Sequence, residues 1–250
     1  MADGIGAAAR ELADAERAVA LTGAGVSTAS GIPDFRSEGG IWDEFDPQEF
    51  RYSRFQADPA AFWDRRLEMH EAVYGDGVAP NAAHEALAAL ETAGHLDALI
   101  TQNIDGLHAE AGSETVVELH GTASWVVCDR CGQRTDAAPV RERVAEGELP
   151  PRCSVCEGVF KPDVVLFGEE LPRTVLQCAR KHAREADFFL AAGSSLSVEP
   201  AASLPRTAAG HGATLVVVNL EETRASATAD YEFRADVTDV LPRLLDAVEG

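Results

Sequence analysis

The sequence predicts an α/β protein built on a doubly wound parallel sheet. Short apolar runs bounded by Gly, Asn or Asp alternate with segments of helical spacing, a rhythm typical of strands joined by crossover helices. A glycine-rich turn directly follows the first run, as it does in nucleotide-binding α/β folds. The predicted strands are Ala18–Leu21, Ala98–Thr101, Val116–Leu119, Val164–Phe167, Phe188–Ala191 and Thr214–Val218.

Three segments show helical spacing, and residues 81–93 are the clearest of them. Asn81 is a favourable N-cap there, and Gly94 stands just past the expected end. Residues 172–185 and 239–248 are the other two predicted helices.

Two stretches interrupt the alternation and are predicted to be insertions. Residues 41–79 hold half of the aromatic side chains, with helical spacing around residues 59–73. Residues 125–160 hold four of the five cysteines. No internal repeat or low-complexity segment accompanies them.

Composition limits the class of protein and its surroundings. At 250 residues the chain is near the upper limit for one hydrophobic core, and 46% hydrophobic with 25% charged residues is ordinary for a folded domain. The formal net charge of −21 repels phosphate backbones and anionic membranes, so neither partner is expected. Lys161 and Lys181 are the only lysines, and the surplus of acids predicts adaptation to high salt. No membrane span or secretory signal is recognisable, so a cytoplasmic location is expected.

Four cysteines form two C-x-x-C pairs separated by residues 132–152. Cys128, Cys131, Cys153 and Cys156 can supply four thiolates to one tetrahedral Zn²⁺, a closed shell that leaves no position for a substrate. The metal is therefore expected to be structural, with a redox disulfide or chance spacing as the alternative. The fifth cysteine lies in a helical pattern and is expected to be a small core residue.

The turn Gly23-Ala24-Gly25 follows the first predicted strand, where glycine lets the backbone approach a pyrophosphate. Thr28 stands where the dinucleotide fingerprint has its third glycine, and no acid ends a strand about 20 residues further on. An ordinary dehydrogenase is therefore disfavoured. Two more strand-end turns, Gly193-Ser194-Ser195 and Asn219-Leu220-Glu221, are expected to meet the first at the sheet edge that binds ligands.

His120 directly follows a predicted strand, and the segment Gln102-Asn103-Ile104-Asp105 follows a neighbouring one. A single histidine in such a place is more often structural than catalytic. Burying a cluster of polar side chains at one sheet edge would cost free energy if they had no function, however, so the group predicts a functional site.

The segment Gly23–Arg36 resembles the signature of sirtuins, the NAD-dependent protein lysine deacylases. Further motifs resemble that family in its order, and the likeness spans roughly residues 17–239. These motifs are 102–105, 119–121, the two cysteine pairs, 164–169, 193–196 and 218–221.

The resemblance implies a large and a small domain with a ligand cleft between them. The large, Rossmann-like domain is expected from residues 1–40, 80–124 and 160–250. The small domain is expected from the helical insertion 41–79 and the zinc module 125–159. NAD and an acyl-lysine peptide would lie between the two.

The resemblance also implies roles for particular residues. His120 is implied as the general base, supported by Asn103, and Phe35 and Arg36 as part of a loop that covers the nicotinamide site. The implied NAD contacts are Gly23, Ala24, Gly25, Thr28, Phe35, Arg36, Gln102, Asn103, Ile104, Asp105, His120, Gly193, Ser194, Ser195, Asn219, Glu221 and Val237.

The implied reaction consumes NAD as a co-substrate and moves no hydride. The acyl oxygen attacks the nicotinamide ribose, nicotinamide leaves, and the products are free lysine and O-acyl-ADP-ribose. The peptide would lie extended between two segments and add a strand by backbone hydrogen bonds. The residues implied in those segments are Val165, Phe167, Gly168, Leu196 and Val198.

Residues Trp63 and Arg66 match the positions that read the acyl chain in the resembled family. Sirtuins that prefer succinyl or malonyl groups carry a tyrosine and an arginine at this spacing. Trp63 replaces the tyrosine here, and Arg66 is expected to be a solvated helix residue. The sequence therefore predicts acetyl-lysine as the preferred substrate, with secondary activity on acidic acyl groups.

Three alternatives remain open at this point. A desuccinylase or demalonylase would differ in acyl chain, and a mono-ADP-ribosyltransferase would pass the ribose to a protein side chain, which product mass distinguishes. A non-enzymatic zinc-ribbon module would bind nucleic acid, but the arginines near the cysteines form no basic run.

Overall fold

A computed structural model describes residues 2–35, 39–75 and 77–250, and a six-stranded parallel sheet forms its centre. Strands and helices are numbered in chain order. The six strands are β1 (Ala18–Thr22), β2 (Ala98–Thr101), β3 (Val116–Glu118), β7 (Phe188–Ala192), β8 (Thr214–Val218) and β9 (Tyr231–Phe233). Their order in the sheet is β3-β2-β1-β7-β8-β9, and every neighbouring pair is parallel. The predicted fold class is confirmed.

Helices cover both faces of this sheet. Successive strand residues point to opposite faces, so Ala20 packs into one apolar cluster and its neighbours Val19 and Leu21 into the other. The first cluster holds α1 (Ala2–Asp14), α5 (Ala82–Thr92) and α10 (Val237–Glu249) against the sheet. The second holds α8 (Arg173–Glu185) and α9 (Leu204–Gly210).

A second, antiparallel sheet is separate from the first, and its strands lie side by side in the order β5-β4-β6. It consists of β4 (Gly121–Cys128), β5 (Arg134–Asp136) and β6 (Phe160–Val164). The helices that accompany it are α2 (Ile41–Glu44), α3 (Tyr52–Ala57), α4 (Pro59–Val73) and α7 (Ala137–Ala145). The short helix α6 (Leu107–Glu110) instead follows β2 in the large sheet.

The two predicted insertions share one apolar core. Phe62 of α4 belongs to the same buried cluster as Val126 of β4 and Val140 of α7. The Trp63 indole Nε1 donates a hydrogen bond of 2.7 Å to the Phe160 carbonyl, which ties α4 to β6. Neither insertion therefore buries its apolar surface alone.

Helix α5 begins where the sequence predicts. The Asn81 side chain accepts from the Ala83 amide at 2.9 Å, and the His84 side chain accepts from the Asn81 amide, completing a capping box. Helix α4 is capped in a similar way, because the Asp58 carboxylate accepts from the Ala61 amide at 3.1 Å.

A single glycine joins the two sheets. Gly121 follows His120, begins β4 and has a φ of +71°. A Cβ at this position would lie 2.2 Å from the Asp163 carbonyl oxygen, so only glycine fits between β4 and β6. The position of His120 is therefore set by both sheets.

The prediction of a parallel strand at Val164–Phe167 is wrong. The strand is Phe160–Val164, and it belongs to the antiparallel sheet because Val164 pairs with Gly121. Residues after Val164 are extended but leave that sheet, and the Phe167 carbonyl accepts from the Tyr52 amide at 3.0 Å. Short apolar runs do not reveal which sheet they join.

Several elements were not predicted from the sequence, among them helix α1 and strand β9. Strand β9 has only three residues, which is too short to carry a periodic signal. The expectation that Cys178 is a core residue is wrong, since it is exposed on α8. No helix among the described residues is long and apolar enough to cross a membrane.

We expect the free energy of unfolding to rise with KCl concentration. The net charge of −21 repels itself strongly when the Debye length is about 10 Å at 0.1 M, and much less when it is about 3 Å at 1 M. Thermal unfolding followed by circular dichroism from 0.1 to 2 M KCl should show a steadily rising Tm. A Tm that does not change with salt would contradict this charge argument.

Candidate active site and metal centre

Two glycine turns pack against each other at the carboxyl edge of the large sheet. The Gly25 amide donates to the Gly193 carbonyl at 2.9 Å. A Cβ on Gly25 would lie 2.9 Å from that same oxygen, and a Cβ on Gly23 would lie 2.9 Å from the Ser194 Cβ. Gly193 has a φ of +60°, and a Cβ there would lie 2.5 Å from the Val26 nitrogen. The turns after β1 and β7 therefore fit together only as glycines, as the sequence predicts for a phosphate-binding edge.

Gln102 connects this edge to the neighbouring strand. Its backbone amide donates to the Thr22 carbonyl at 3.1 Å, and its side-chain Nε2 donates to the Ser194 hydroxyl at 2.9 Å. The loops after β1, β2 and β7 are thus held in one layer. Thr28 lies at the start of a short 3₁₀ turn beside them, and its hydroxyl donates to the Gly25 carbonyl at 3.1 Å.

His120 is held with one ring nitrogen free. Its Nδ1 lies 2.8 Å from the Gln102 carbonyl oxygen, which only accepts, so Nδ1 carries the proton and Nε2 keeps its lone pair in the neutral ring. Burial lowers the pKa of His120, and the hydrogen bond to Gln102 opposes that shift by favouring the protonated ring. At neutral pH the ring is therefore uncharged, and its Nε2 is free to accept a proton.

A polar cluster forms beside the glycine turn. The Ser27 hydroxyl donates to the Asp105 carboxylate at 2.7 Å and accepts from the Asn103 side-chain amide at 3.0 Å. Asp105 also accepts from the Leu107 amide at 3.0 Å, so its carboxylate caps the turn that begins α6. Asn103 is buried, with 7% of its surface exposed. These contacts fix the orientation of both predicted side chains.

Two buried histidines support this cluster, and sequence reasoning gave neither a role. The rings of His84 and His108 lie 4.7 Å apart. His84 Nδ1 accepts from the Asn81 amide, so its Nε2 carries the proton and points to Ser27 at 3.4 Å. His108 Nε2 lies 2.9 Å from the Thr22 hydroxyl. The capping-box position of His84 was the available signal, because it places the ring at the helix start.

Both supporting histidines are neutral at physiological pH. Burial lowers the pKa of His84, and it lowers the pKa of His108 to about 3, with a further contribution from His84. The Nδ1 atom of His108 is buried without a hydrogen-bond partner. Such an atom costs free energy, so the site carries a local cost in stability.

A cavity lies in front of the polar cluster. Among its lining residues are Ala24, Phe35, Asn103, Ile104 and Asp105. The structure therefore brings together five of the side chains and backbone segments implied to contact NAD. Arg36 lies outside the described residues.

An aromatic chain connects the cavity wall to the proposed peptide segment. The Phe35 ring centroid lies 5.2 Å from that of Trp42, and Trp42 lies 5.5 Å from Phe167. Aromatic pairs at such distances pack favourably and exclude water. The loop bearing Phe35 is thus in contact with the segment that follows β6.

The residues implied at the adenosine end lie along the edge after β8. The Asn219 side chain donates to the Glu221 carbonyl at 2.9 Å, and the Glu221 carboxylate is exposed. The Ser195 hydroxyl is exposed and lies 2.9 Å from that of Ser197. Val237 begins α10, but its side chain is buried in the apolar core, so only its backbone is available to a ligand.

The two implied peptide segments differ in how they are held. The Val165 amide donates to the His120 carbonyl at 2.8 Å, and Phe167 and Gly168 are exposed. In the other segment Leu196 is buried with a φ of +52°, and Val198 is half-buried. No hydrogen bond among the described residues joins one segment to the other, so an extended chain is able to enter between them.

Trp63 and Arg66 do not line the cavity beside Asn103. They line a second cavity between α4, β4 and α7. The expectation that Arg66 is solvated is wrong, since only 8% of its surface is exposed. Helix α4 is packed on the zinc module on that side, which the sequence of α4 alone does not reveal.

The four predicted cysteines converge at one point. Their sulfur atoms all lie within 4.8 Å of one another. The Cys128 and Cys156 sulfurs are 3.5 Å apart, and those of Cys131 and Cys153 are 3.8 Å apart. Tetrahedral Zn–S bonds of about 2.3 Å require sulfurs about 3.8 Å apart, whereas a disulfide requires about 2.05 Å. The geometry fits Zn²⁺ and not a redox pair.

The backbone around the cysteines fits the same purpose. The Gly132 amide donates to the Cys128 carbonyl, and the Glu157 amide donates to the Cys153 carbonyl, each at 2.9 Å. A Cβ on Gly158 would lie 2.7 Å from the Cys128 sulfur. Each pair thus lies in a tight turn that points two sulfurs at one centre.

The fold and the edge cluster define a nucleotide-binding α/β protein with an appended four-cysteine zinc module. Comparison with protein-family models finds the Sir2 family over residues 23–200. This chain belongs to the Sir2 family.

Two kinds of relative support the assignment. An NAD-dependent protein deacetylase of the halophilic archaeon Haloarcula marismortui is 60% identical over 242 residues, which cover 96% of this chain and 93% of that protein. A solved Sir2 enzyme superposes with a TM-score of 0.87 at 43% identity, covering 100% and 99% of the two chains. The source of the first relative agrees with the high-salt composition.

A third relative shows the ligands that such a fold holds. It is a Sir2 structure with a deacetylated p53 peptide and 3′-O-acetyl ADP-ribose. It is 36% identical, covers 95% of this chain and 96% of its own, and has a TM-score of 0.86.

We expect Cys128→Ala to lose its zinc and to unfold at a lower temperature. Three thiolates no longer close the metal shell, and metal binding in such modules is folding free energy. Atomic absorption should find about one zinc per chain in the unmodified protein and close to none in the variant.

Cys178→Ala is the matched control, because this cysteine is exposed on α8 and is not among the clustered four. It should keep both its zinc and its Tm. A zinc-free Cys128→Ala protein with unchanged thermal stability would argue against a structural metal.

Proposed function

We propose that this protein is an NAD-dependent protein lysine deacetylase, which transfers the acetyl group of acetyl-lysine to ADP-ribose and releases nicotinamide. The observation that carries the proposal is the geometry of His120. Its Nδ1 is committed to the Gln102 carbonyl, and its Nε2 is a free base at the carboxyl edge of the large sheet. The names and ligands of the Sir2 relatives support the same activity.

NAD, when bound, supplies an activated ribose with nicotinamide as the leaving group. His120 Nε2 then accepts a proton from a ribose hydroxyl, and its depressed pKa keeps it ready to do so at neutral pH. Because Gln102 also contacts Ser194, the base is held at a fixed position relative to the Gly193 turn. We assign His120 as the catalytic base on this ground.

Asn103 and Asp105 orient the nicotinamide end of NAD. Ser27 holds both, and the buried His84 in turn approaches Ser27. Phe35 lines the same cavity, where an aromatic wall excludes water from the reacting centre.

The remaining NAD contacts follow the sheet edge. Backbone groups of the two glycine turns are placed to hold the pyrophosphate, and the exposed Glu221 carboxylate to accept hydrogen bonds from the adenosine ribose. Val237 contributes through its backbone. The turn residues proposed for this role are Gly23, Ala24, Gly25, Thr28, Gly193, Ser194 and Ser195.

The acyl-lysine peptide lies extended between the segments of Val165 to Gly168 and Leu196 to Val198. The close approach of Phe167 to Trp42 supports a groove beside the wall of the NAD cavity. Backbone pairing demands little of the peptide sequence.

The Leu166 backbone is engaged by the following turn. Its amide donates to the Glu169 carboxylate at 2.7 Å, and its carbonyl accepts from the Glu169 amide at 3.0 Å. Lys161 holds the same carboxylate at 3.0 Å. Pairing of a peptide at Leu166 therefore requires Glu169 to move.

The cleft that holds both ligands divides the chain into two units. A large domain of residues 1–40, 80–124 and 160–250 carries the nucleotide edge, and a small domain of residues 41–79 and 125–159 carries the zinc. Separate apolar cores support a division into two units. Strands β4 and β6 belong to the antiparallel sheet, so the boundaries at residues 124 and 160 cut through it. The charge of −21 supports a protein that works in a salt-rich cytoplasm without nucleic acid or membrane partners.

We expect His120→Ala to lower kcat/KM for acetyl-lysine peptides by a factor of at least about 10², because general-base catalysis contributes 10²–10⁴. In the unmodified protein, kcat/KM should rise with pH as Nε2 loses its proton, with a midpoint below the ordinary histidine pKa of about 6.5. Released nicotinamide and the mass of the ribose product give both readouts.

His211→Ala is the matched control, because His211 is exposed at the end of α9. It should retain full activity and the same pH profile. Near-normal turnover in a folded, zinc-loaded His120→Ala protein would remove His120 from the mechanism, and ribose found on a protein side chain would indicate a mono-ADP-ribosyltransferase.

We expect acetyl-lysine to be preferred over succinyl-lysine in one peptide sequence. The Trp63 indole fills the position of a phenol and is committed to the Phe160 carbonyl, so it offers no hydroxyl to a distal carboxylate. Measured kcat/KM should be about tenfold or more in favour of acetyl. A succinyl preference that is lost in Arg66→Ala, but kept in Arg65→Ala, would instead indicate a desuccinylase in which Arg66 reads the acyl chain.

A further inference from the structure

The cavity between α4, β4 and α7 has an unusual lining for so acidic a protein. Trp63 and Trp125 form apolar walls, and Arg66, His70 and Arg141 are its ionisable groups. No acidic side chain lines it among the described residues. The chain holds 42 acids against 21 basic residues, so a cavity with two guanidinium groups and no carboxylate departs sharply from the rest of the surface.

Arg66 is the only charged side chain in the buried class within the described part of the chain. It makes no ion pair and no hydrogen bond with other described residues. The pKa of Arg66 is lowered by burial, and the nearby Arg141 lowers it further. A guanidinium that keeps its charge while buried requires a counter-charge or hydrogen-bond acceptors, since uncompensated burial costs several kcal/mol.

Asp136 and Glu142 act on the charge of Arg141, but no acidic neighbour does so for Arg66 among the described residues. Tyr74 lies near Arg66, but burial raises the pKa of its phenol to about 12, so it is neutral. His70 lines the cavity, and burial together with both arginines lowers its pKa to about 4, so it is neutral as well. Arg141 Nη1 donates a hydrogen bond to the Ala123 carbonyl at 3.3 Å. Arg66 and Arg141 both line the cavity, and no described side chain or carbonyl accepts a hydrogen bond from Arg66.

The size of the cavity limits what it accepts. Its volume is about 10 Å³, which is the room of roughly one water-sized body. A halide ion is the anion nearest to that size. A carboxylate with its attached carbon chain would have to displace a wall.

We propose that Arg66 and Arg141 form a binding site for a small anion, occupied by a halide such as chloride in the resting protein. The ion accepts charge-assisted hydrogen bonds from both guanidinium groups and joins α4 to α7. The proposal does not depend on the deacetylase activity.

A bound anion also adds an ion-specific contribution to the salt dependence of the free energy of unfolding. General screening acts on every surface charge and depends on ionic strength alone. A bound halide adds stability only when that ion is present, through mass action. Replacing chloride by a bulky monovalent anion at equal ionic strength separates the two effects.

The first experiment compares Tm in KCl and in potassium methanesulfonate at equal ionic strength. The unmodified protein should melt about 4 °C higher in KCl once chloride exceeds its dissociation constant tenfold. Arg66→Met should lose this difference, and it should fold because it removes a buried unpaired charge. Arg54→Met is the matched control, since Arg54 is exposed on α3, and it should keep the full difference.

The second experiment locates the ion directly. Crystals of the unmodified protein grown with bromide should show an anomalous peak at hydrogen-bond distance from both guanidinium groups.

Three results would overturn the proposal. One is the absence of any bromide at the two arginines. Another is a chloride effect on Tm of the same size in Arg66→Met and in the unmodified protein. The third is a bromide peak without a chloride-specific change in Tm, which would mean an adventitious ion only. None of these readouts uses NAD or turnover, so they are separate from tests of the deacetylase activity.

Discussion

At Gly121 the chain passes from the parallel sheet into the antiparallel one, and its Cα lies so close to the Asp163 carbonyl that no side chain fits. This close contact sets the position of His120, because the residue before Gly121 has the large sheet on one side and β4 on the other. The His120 carbonyl then accepts from the Val165 amide, which carries the extended segment away from the antiparallel sheet. One left-handed glycine thus places the base, the second sheet and the proposed peptide groove relative to one another.

A network of neutral hydrogen bonds supports the base. Ser27 accepts and donates between Asn103 and Asp105, and His84 approaches it from the start of α5. Burial keeps these histidines uncharged, so the network orients the site without placing a positive charge beside the cleft. Packing this much polar surface under a sheet edge leaves Nδ1 of His108 without a hydrogen-bond partner, which lowers the free energy of unfolding.

The small domain is held together differently, since two stretches that are distant along the chain share its core. Trp63 reaches across to the Phe160 carbonyl, and the same packing buries Arg66 against α7. The zinc sulfurs are part of the same cluster, with Cys128 and Cys153 buried in it. Metal binding, apolar packing and the arginine cavity are therefore coupled in one small core, and loss of any one affects the others.

The sequence by itself determined the fold class, the cap at Asn81, the four-cysteine metal site and the edge cluster around His120, because each depends on local pattern or spacing along the chain. Tertiary structure alone decided that Val164 joins the antiparallel sheet, that Arg66 is buried and that Cys178 is exposed. Burial is decided by which element packs on a helix or strand, and a short apolar run or an arginine in a helix has the same pattern whichever neighbour it meets. The sequence therefore specifies which groups carry the chemistry, and only packing decides which of them lose water.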